Sequence, residues 1–472
     1  MSPDLSEALA VAYASALEFH TTRLQRSPNV SASVSQLLEA FDGSLPESPD
    51  AAGQVIHRLV HAAEPGLMGN FGARFFGWVM GGSHPAGVAA DWLTSMWGQN
   101  GASYASCPAN TVAEQVAGRW LCELLRLPPE SSVGFTTGAT MSHFVCLAAA
   151  RNELLRKIGW DVEADGMFGA PRIGVYVGHD THVTVLAALR YLGFGEGNTV
   201  HIPTDHNGRM LFDELRAALA HMSGPLLVIA QAGQINTGAF DPVDAIADIT
   251  HERQGWLHVD GAFGLWARAC PAKAHLANGI EKADSWATDG HKWLQAPYDT
   301  GYAFVRHAEA HRQAMRIEAS YLIASEQGVH DPCNYVPELS RRARGFATWA
   351  IISALGRRGI ADMIERHCQL AQAMSQRLTE EPGIYVLNEV ELNQFVVRFG
   401  SPAPSEAFDQ TTKAVISRIQ TDGVCFVSGA AWKGMWVMRI SIISWPTTST
   451  DIFPAADAIV DAWRCVRDVV GT

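Results

Sequence analysis

The sequence predicts an α/β protein with a mainly parallel sheet, followed by a smaller C-terminal α/β domain. From about residue 130, short apolar runs alternate with helical segments of ten or more residues, a pattern typical of β-α-β units. The runs are apolar at successive positions, as in strands that helices cover on both faces. The chain of 472 residues is long enough for two or three domains, each with its own core.

The individual elements follow this alternation along the chain. The first sixty residues are predicted to be helical, with a break rich in serine and proline at 43–50, and a loop rich in glycine and aromatic residues follows at 70–82. Hydrophobic periodicity then predicts strands and helices in turn. The strands lie at 172–177, 199–202, 226–230, 256–259 and 285–288, and the helices at 140–158, 182–192, 211–222 and 242–253.

The pattern changes after Arg306. A helix and a loop at 320–338 with little periodicity precede a second helix, which we expect to begin near residue 339 and to include the basic segment at 341–344. Strands at 394–399 and 437–443 indicate a separate α/β unit. We therefore predict an N-terminal helical segment at 1–60, a large domain at 61–338 and a small C-terminal domain at 339–472.

Composition excludes several classes of protein. With 47% hydrophobic and 18% charged residues, the chain has the composition of a folded globular protein. Its formal net charge of −13 argues against broad binding to nucleic acid or anionic membranes. No apolar run long enough to span a bilayer and no secretory leader pattern are expected. The eight cysteines lack C-x-x-C or zinc-ligand spacing, so we predict free thiols, no metal site and a cytoplasmic protein.

One lysine is placed for chemistry. Only 6 of the 35 basic residues are lysines, and Lys292 follows a predicted strand between His291 and Trp293. A lysine in such an apolar setting is either a long side chain that reaches water or a functional group. Partial desolvation lowers the pKa of a lysine and makes its amine a nucleophile toward aldehydes.

Three further segments lie at strand or helix ends, where open α/β sheets bind ligands. Asp260 ends a predicted strand before a Gly-Ala turn, although an aspartate there commonly caps a turn. His182 opens a predicted helix, where a histidine can also be a simple neighbour of the cap. Small and hydroxyl residues at 136–140 precede a helix whose exposed N–H groups suit an anion, but such caps occur at many helix starts.

Together these residues supply what pyridoxal phosphate requires. The cofactor needs a lysine for its aldehyde and an acid for its pyridine nitrogen. It also needs N–H donors for its phosphate, and a histidine can stack on its ring. Lys292, Asp260, the segment 136–140 and His182 provide one candidate for each function. We therefore predict pyridoxal phosphate as the cofactor.

Two motifs resemble the group II pyridoxal-phosphate-dependent decarboxylases, the family of the aromatic amino acid, histidine and glutamate decarboxylases. They are the segments His-Val-Asp-Gly-Ala-Phe-Gly at 258–264 and Asp-Ser-Trp-Ala-Thr-Asp-Gly-His-Lys-Trp at 284–293. The second motif is highly specific for that family. The resemblance runs from about residue 55 to the end of the chain, with shorter matches at 74–77, 107–109, 137–140, 182, 238–242 and 341–342.

The resemblance implies fold type I of the pyridoxal-phosphate-dependent transferases, the aspartate-aminotransferase-like fold. In this fold a mainly parallel seven-stranded sheet forms the large domain, and a smaller C-terminal α/β domain follows. The family also implies a homodimer with its active site near the subunit interface. The expected partner is a small-molecule amino acid substrate, with no nucleic acid and no membrane.

The same resemblance assigns roles around the cofactor ring. Lys292 would carry the cofactor as a Schiff base and act as a catalytic residue. Asp260 would bind the pyridine nitrogen and keep it protonated. His182 would stack on one face of the ring, with Ala262 on the opposite face.

Further residues are assigned to the phosphate and the substrate. Ala139, Thr140 and His291 would hold the phosphate of the cofactor. Asp289 would be an unusual acidic neighbour of that phosphate. Trp78 falls in the segment that lines the substrate pocket of relatives.

Decarboxylation of an L-amino acid to its amine is the reaction that the resemblance implies. The carboxylate would leave as carbon dioxide through a quinonoid intermediate, and a proton would then be delivered to the carbon that lost it. Many relatives use a tyrosine of a mobile loop as the donor, and a gapless count places that position at about Pro332. Tyr335 would be the donor if the loop is shifted, and His330 is the alternative.

Other reactions are compatible with the motifs. Without the donor, the intermediate can react with oxygen to give an aldehyde, and carbon–carbon cleavage is also conceivable. Arg439 could bind a substrate carboxylate, as in aminotransferases of this fold, although a structural salt bridge is the favoured interpretation. A non-catalytic binding module would have lost Lys292, Asp260 or His182, and all three are present.

Overall fold

The computed structural model describes residues 3–22, 26, 28–317 and 330–470. Its first part is helical, as the sequence predicts, and local signals explain where two of the helices begin. Ser33 and Gln36 form a reciprocal capping box at the start of the second helix, and His84 accepts the N–H of Ala86 at the start of the fourth. The helices are α1 (Pro3–Thr22), α2 (Val34–Phe41), α3 (Ala52–Ala63), α4 (Pro85–Trp97) and α5 (Pro108–Leu124).

Strands and helices then alternate through the large sheet, in agreement with the predicted pattern. The successive elements are β1 (Ser132–Thr136), α6 (Ala139–Arg156), α7 (Val162–Asp165), β2 (Gly174–Gly178), α8 (Val183–Tyr191), β3 (Thr199–Ile202), α9 (Phe212–Leu219), β4 (Leu226–Gln231), α10 (Val243–Glu252), β5 (Trp256–Asp260), β6 (Ser285–Asp289), β7 (Gly301–Val305) and α11 (Ala308–Met315).

The seven strands form one sheet in the order β1-β7-β6-β5-β4-β2-β3. The neighbours from β3 to β6 pair in parallel, whereas β7 runs antiparallel to both β1 and β6. Every residue of β4 and of β5 is buried, because helices cover both faces of the sheet. The carboxyl ends of β4, β5 and β6 therefore open at the same edge.

The C-terminal part contains a second, antiparallel sheet of four strands in the order β10-β11-β9-β8. Apolar residues of this sheet and of the surrounding helices form a core cluster separate from the clusters around the large sheet. The elements are α12 (Gly345–Thr379), β8 (Ile384–Val386), β9 (Gln394–Phe399), α13 (Glu406–Asp422), β10 (Ser428–Trp432), β11 (Met435–Ser441) and α14 (Ser449–Val470).

The start of α12 differs from the prediction. The helix begins at Gly345, not near residue 339, so the three preceding arginines lie in extended and turn structure. Each is held by an acidic partner from another part of the chain, with Arg341 on Glu114, Arg342 on Asp91 and Arg344 on Asp299. These ion pairs with distant parts of the chain hold the three arginines outside the helix. Helical periodicity in the sequence does not reveal such long-range pairs.

Among the residues that the structure describes, no helix is both long enough and apolar enough to cross a lipid bilayer.

The pair between Arg341 and Glu114 is a buried structural contact. The Nη1 atom of Arg341 lies 2.9 Å and 3.0 Å from the two carboxylate oxygens of Glu114. The side chains are 1% and 3% exposed. The guanidinium also donates to the carbonyl oxygens of Gly101 and Phe135. This network joins the segment before α12 to α5 and β1.

We predict that Glu114→Ala lowers the free energy of unfolding by about 3–5 kcal/mol, because the guanidinium of Arg341 would stay buried without its counter-charge. Equilibrium urea denaturation measures this. Glu123→Ala is a matched control on the same helix, since the pair of Glu123 with Arg357 is exposed and its loss should cost less than about 1 kcal/mol. Equal losses in the two variants would contradict the prediction.

Candidate active site

A pocket of about 310 Å³ opens at the carboxyl edge of the large sheet. The ends of β4, β5 and β6 contribute to it, together with the N-terminal ends of α6 and α8. The lining residues are Thr137, Gly138, Ala139, Thr140, His182, Thr184, Gln231, Gly233, Ile235, Asp260, Ala262, Phe263, Asp289, His291 and Lys292.

The structure brings most of the predicted site residues together in this pocket. Seven of them line it, although they are spread over more than 150 positions of the chain: Ala139, Thr140, His182, Asp260, Ala262, His291 and Lys292. Asp289, which the sequence places beside the phosphate, lines it as well. Two predicted residues, Trp78 and Tyr335, are outside the lining.

Lys292 stands in the turn that follows β6. Its Nζ atom lies 2.9 Å from Oδ2 of Asp289, and the side chain is 17% exposed. The backbone around it is packed closely, since a Cβ atom at Gly81 would collide with the carbonyl oxygen of Lys292. The N–H of Gly81 also donates to the carbonyl oxygen of His291. These contacts fix the lysine at the pocket wall.

Asp260 is the last residue of β5 and is buried. Burial by itself would raise the pKa of its carboxyl group, but the neighbouring rings of His143 and His182 and the N–H of Ala262 lower that pKa well below its usual range. The Nε2 atom of His143 lies 3.5 Å from Oδ1 of Asp260. The aspartate is therefore an anion at neutral pH.

A chain of buried polar groups stands behind this aspartate. Nε1 of Trp256 lies 2.9 Å from Oγ of Ser285, which lies 2.9 Å from Nδ1 of His258. Nε2 of His258 then lies 2.9 Å from Nδ1 of His143. The indole can only donate, so one consistent arrangement has each group donate to the next and leaves the Nε2 proton of His143 directed at Asp260.

His182 forms the N-terminal cap of α8. Its Nδ1 atom accepts the N–H of Thr184, at 3.4 Å, and lies 2.8 Å from the Thr184 hydroxyl. Burial lowers the pKa of the ring, and the positive charges of Lys292 and Arg439 lower it further, although Asp260 opposes them. The ring is thus neutral at neutral pH, with its proton on Nε2 because Nδ1 accepts.

His291 is neutral for a similar reason. Burial lowers the pKa of its ring, and its Nδ1 atom accepts the N–H of Thr300 at 3.3 Å. The ring of Tyr298 covers it, with centroids 4.4 Å apart. His291 therefore offers a neutral Nε2–H beside the start of α6.

The two predicted residues outside the lining have other contacts. Trp78 is 44% exposed and packs against Phe75 and Phe426, with centroids 5.8 Å and 5.4 Å away. The Tyr335 ring stacks on His330 at 3.7 Å. Neither Tyr335 nor His330 lines the pocket. Residues 320–329 of the predicted loop at 320–338 lie outside the described residues.

The structure corrects the interpretation of Arg439. No carboxylate of the described residues lies within ion-pair distance of Arg439, and its Nε atom is buried without a hydrogen-bond partner. Burial lowers the pKa of its guanidinium to about 10. The expected structural salt bridge is therefore absent in the described part of the chain, and the charge of Arg439 acts on His182 instead.

Sequence reasoning missed His143 and Gln231. His143 lies one helical turn after Ala139, near the start of α6. Its contact with Asp260 at the end of β5 depends on how α6 packs on the sheet, which the sequence alone does not show. Gln231 ends β4 and pairs in register with Asp260, and its Nε2 atom is buried without a partner. A usable signal existed for His258, because residues two apart on a strand share a face and His258 precedes Asp260 by two.

The pocket fits pyridoxal phosphate at its ring and aldehyde ends. An anionic aspartate suits a protonated pyridine nitrogen, a lysine suits an aldehyde, and the unpartnered amide of Gln231 is a free donor at the wall. The start of α6 offers N–H groups to a phosphate. Fold and pocket together define a pyridoxal-phosphate-dependent enzyme of fold type I.

Comparison with known proteins gives the family. Residues 35–399 match the model of the pyridoxal-dependent decarboxylase conserved domain. The chain therefore belongs to the pyridoxal-dependent decarboxylase family, whose cofactor is pyridoxal phosphate.

Curated relatives and solved structures agree with this membership. The chain is 26% identical to an aromatic-L-amino-acid decarboxylase of Bacillus atrophaeus over 425 residues, 86% of this chain and 84% of the relative. It is 25% identical to a phenylacetaldehyde synthase of a Rosa hybrid cultivar over 448 residues, 90% and 85% of the two chains. The crystal structure of Oryza sativa TDC with PLP and tryptamine superposes with a TM-score of 0.89 at 22% identity, covering 100% of this chain and 98% of that one.

We predict that His143→Leu lowers the free energy of unfolding by about 1–3 kcal/mol, because the buried Nε2–H of His258 would lose its acceptor. Urea denaturation of the purified protein measures the change. His57→Leu serves as the control, since His57 is exposed on α3 and its replacement should change stability by no more than about 0.5 kcal/mol. A loss no larger than that of the control would show that the chain of hydrogen bonds does not stabilise the fold.

Proposed function

We propose that this protein decarboxylates an L-amino acid to its amine and carbon dioxide, using pyridoxal phosphate. The observation that carries the proposal is the meeting of Lys292, Asp260 and His182 in one pocket of a pyridoxal-dependent decarboxylase family member. The arrangement provides an amine, a buried carboxylate and a neutral imidazole around a space of the size of a small molecule.

Lys292, Asp260 and His182 would each contact a different part of the cofactor. Pyridoxal phosphate, when bound, delocalises the electron pair that the departing carboxylate leaves behind. The Nζ atom of Lys292 would hold the aldehyde carbon of the cofactor and give way to the substrate amine. The carboxylate of Asp260 would keep a proton on the pyridine nitrogen, and His182 and Ala262 would bound the two faces of the ring.

Proton delivery is proposed to come from within the pocket. The two donor candidates from the sequence, Tyr335 and His330, lie outside the lining of the described pocket. Two groups inside it can hand over a proton, the Nε2–H of His182 and the Nζ of Lys292 once the substrate has replaced it. The Nζ atom of Lys292 lies at the pocket wall, 2.9 Å from Oδ2 of Asp289.

An aromatic or apolar L-amino acid is the proposed substrate. Relatives named for aromatic-L-amino-acid decarboxylation support this choice. Ile235 and Phe263 add apolar surface to the pocket. Trp78, which packs against Phe75 and Phe426, would add aromatic surface for the substrate side chain.

Aldehyde formation is the second candidate. It is supported by the relative named phenylacetaldehyde synthase. In that reaction one substrate molecule, one dioxygen and one water would give the aldehyde, carbon dioxide, ammonia and hydrogen peroxide. The unpaired Arg439 would favour amine transfer instead if it binds the substrate carboxylate.

We predict that protein loaded with pyridoxal phosphate shows the visible absorption of a lysine-bound cofactor, and that Lys292→Ala abolishes this band. Lys282→Ala is the control, because Lys282 is paired with Asp244 and Asp248 away from the pocket. Absorption spectra of the three purified proteins test this. A spectrum of Lys292→Ala that equals that of wild type would disprove the assignment of the lysine.

The products decide between the candidate reactions. Aromatic, aliphatic and acidic L-amino acids are supplied in turn, and carbon dioxide, amine, aldehyde and peroxide are measured. Carbon dioxide and amine in equal amounts, without peroxide, support decarboxylation. Aldehyde with peroxide would replace it by the second candidate, and amine transfer to a keto acid without carbon dioxide would exclude both.

We also propose that the enzyme is a cytoplasmic homodimer. All eight cysteines are unpaired and seven are buried, which suits a reducing compartment. Large apolar side chains are exposed along α4, at Trp92, Leu93, Met96 and Trp97, and such a patch commonly marks a protein interface.

We predict that the wild-type protein sediments as a dimer at micromolar concentration and that Leu93→Asp shifts it toward monomer, because a carboxylate would be buried in the interface. Ile158→Asp is the control, since Ile158 is also exposed but follows α6, far along the chain. Sedimentation velocity distinguishes the species. A wild-type monomer, or equal dissociation of both variants, would refute the interface.

A further inference from the structure

Asp289 lies where the cofactor phosphate is expected. It is the last residue of β6, its side chain is 4% exposed, and its Oδ1 atom accepts the N–H of Ala139 at 2.5 Å. That N–H belongs to the first residue of α6. Its Oδ2 atom lies 2.9 Å from Nζ of Lys292. The carboxylate of Asp289 therefore accepts a hydrogen bond from a backbone N–H at the start of a helix, a type of donor that commonly binds anionic ligands.

The groups around Asp289 carry too little positive charge to neutralise a phosphate as well as the carboxylate. His291, 3.5 Å away, is neutral because burial lowers its pKa. Burial and the charge of Asp289 raise the pKa of Tyr298 to about 12, and that of Tyr302 on β7 is raised as well. No arginine belongs to the lining of the pocket as described. Lys292 is the one cationic side chain of that lining.

A phosphate ester at this end would bring two like charges together. Such a phosphate carries close to two negative charges above its second pKa of about 6. Two acidic groups in one buried site do not both remain ionised, because like charges in a poorly screened site repel. A proton shared between them removes one charge and turns a repulsive contact into a hydrogen bond.

We propose that Asp289 couples binding of the cofactor phosphate to the uptake of one proton. The inference rests on the proposed function, since it places the phosphate at the start of α6. In the balanced step, the carboxylate takes one proton from solvent as the phosphate enters, and its O–H then donates to a phosphate oxygen. No bond to carbon changes and nothing is oxidised or reduced.

A ligand without an aldehyde isolates this step. Pyridoxine 5′-phosphate cannot bond covalently to Lys292, so its affinity reports the non-covalent contacts alone. Its dissociation constant is measured by fluorescence titration between pH 7 and 8.5 for wild type and Asp289→Asn. For wild type we expect it to rise by up to about tenfold per pH unit, the slope of one linked proton. For Asp289→Asn we expect tighter binding at pH 8 and little dependence on pH.

Two controls separate the phosphate effect from other changes. Asp180→Asn removes a carboxylate that pairs with Lys433 outside the lining of the pocket, and it should follow wild type. Pyridoxine, which lacks the phosphate, should bind wild type and Asp289→Asn equally well. The asparagine retains an oxygen that can accept the N–H of Ala139, so the fold should be preserved, as thermal unfolding would verify.

Calorimetry of wild type gives an answer that does not depend on any variant. Titrations at pH 8 in buffers of different ionisation enthalpy should show uptake of about one proton per pyridoxine 5′-phosphate bound. Zero uptake would overturn the proposal, as would equal pH slopes for wild type and Asp289→Asn, weaker binding by that variant, or equal tightening for pyridoxine. None of these results would affect the proposed decarboxylation, which is tested by the release of amine and carbon dioxide.

Discussion

The parallel pairing of β5 with β4 and β6 is the constraint on which the site depends. Parallel strands end at the same edge of a sheet, so Gln231, Asp260 and Asp289 at their last positions come together without any local sequence relation. The full burial of these strands removes water from their carboxyl ends. Electrostatic interactions are stronger there than at the surface, which gives each charge in the pocket a large influence on its neighbours.

Burial also obliges the polar groups of the core to satisfy one another. Ser285, at the start of β6, lies opposite His258 in the register of the sheet and bonds to it. His258 in turn contacts His143 on α6, which faces Asp260. A buried donor without an acceptor is costly, so the same contacts that stabilise the core also orient the ring that faces the aspartate.

The pocket is therefore divided by charge into two ends. At one end Asp260 is anionic, with neutral or donating partners around it, and it suits a protonated ring nitrogen. At the other end Asp289 forms an ion pair with Lys292 and accepts the N–H of Ala139 at the start of α6. The second end brings a carboxylate to the start of α6, where the phosphate of the cofactor is proposed to bind.

The sequence by itself determined the α/β class, the cofactor and the residues of the two motifs, because strand periodicity and the segment around Lys292 are local patterns. Only the tertiary structure determined which residues far apart in the sequence contact one another. It placed His143 behind Asp260, left Arg439 without the expected ion pair among the described residues, and moved the start of α12 to Gly345. Such outcomes depend on contacts between elements far apart in the chain, which a local pattern does not encode.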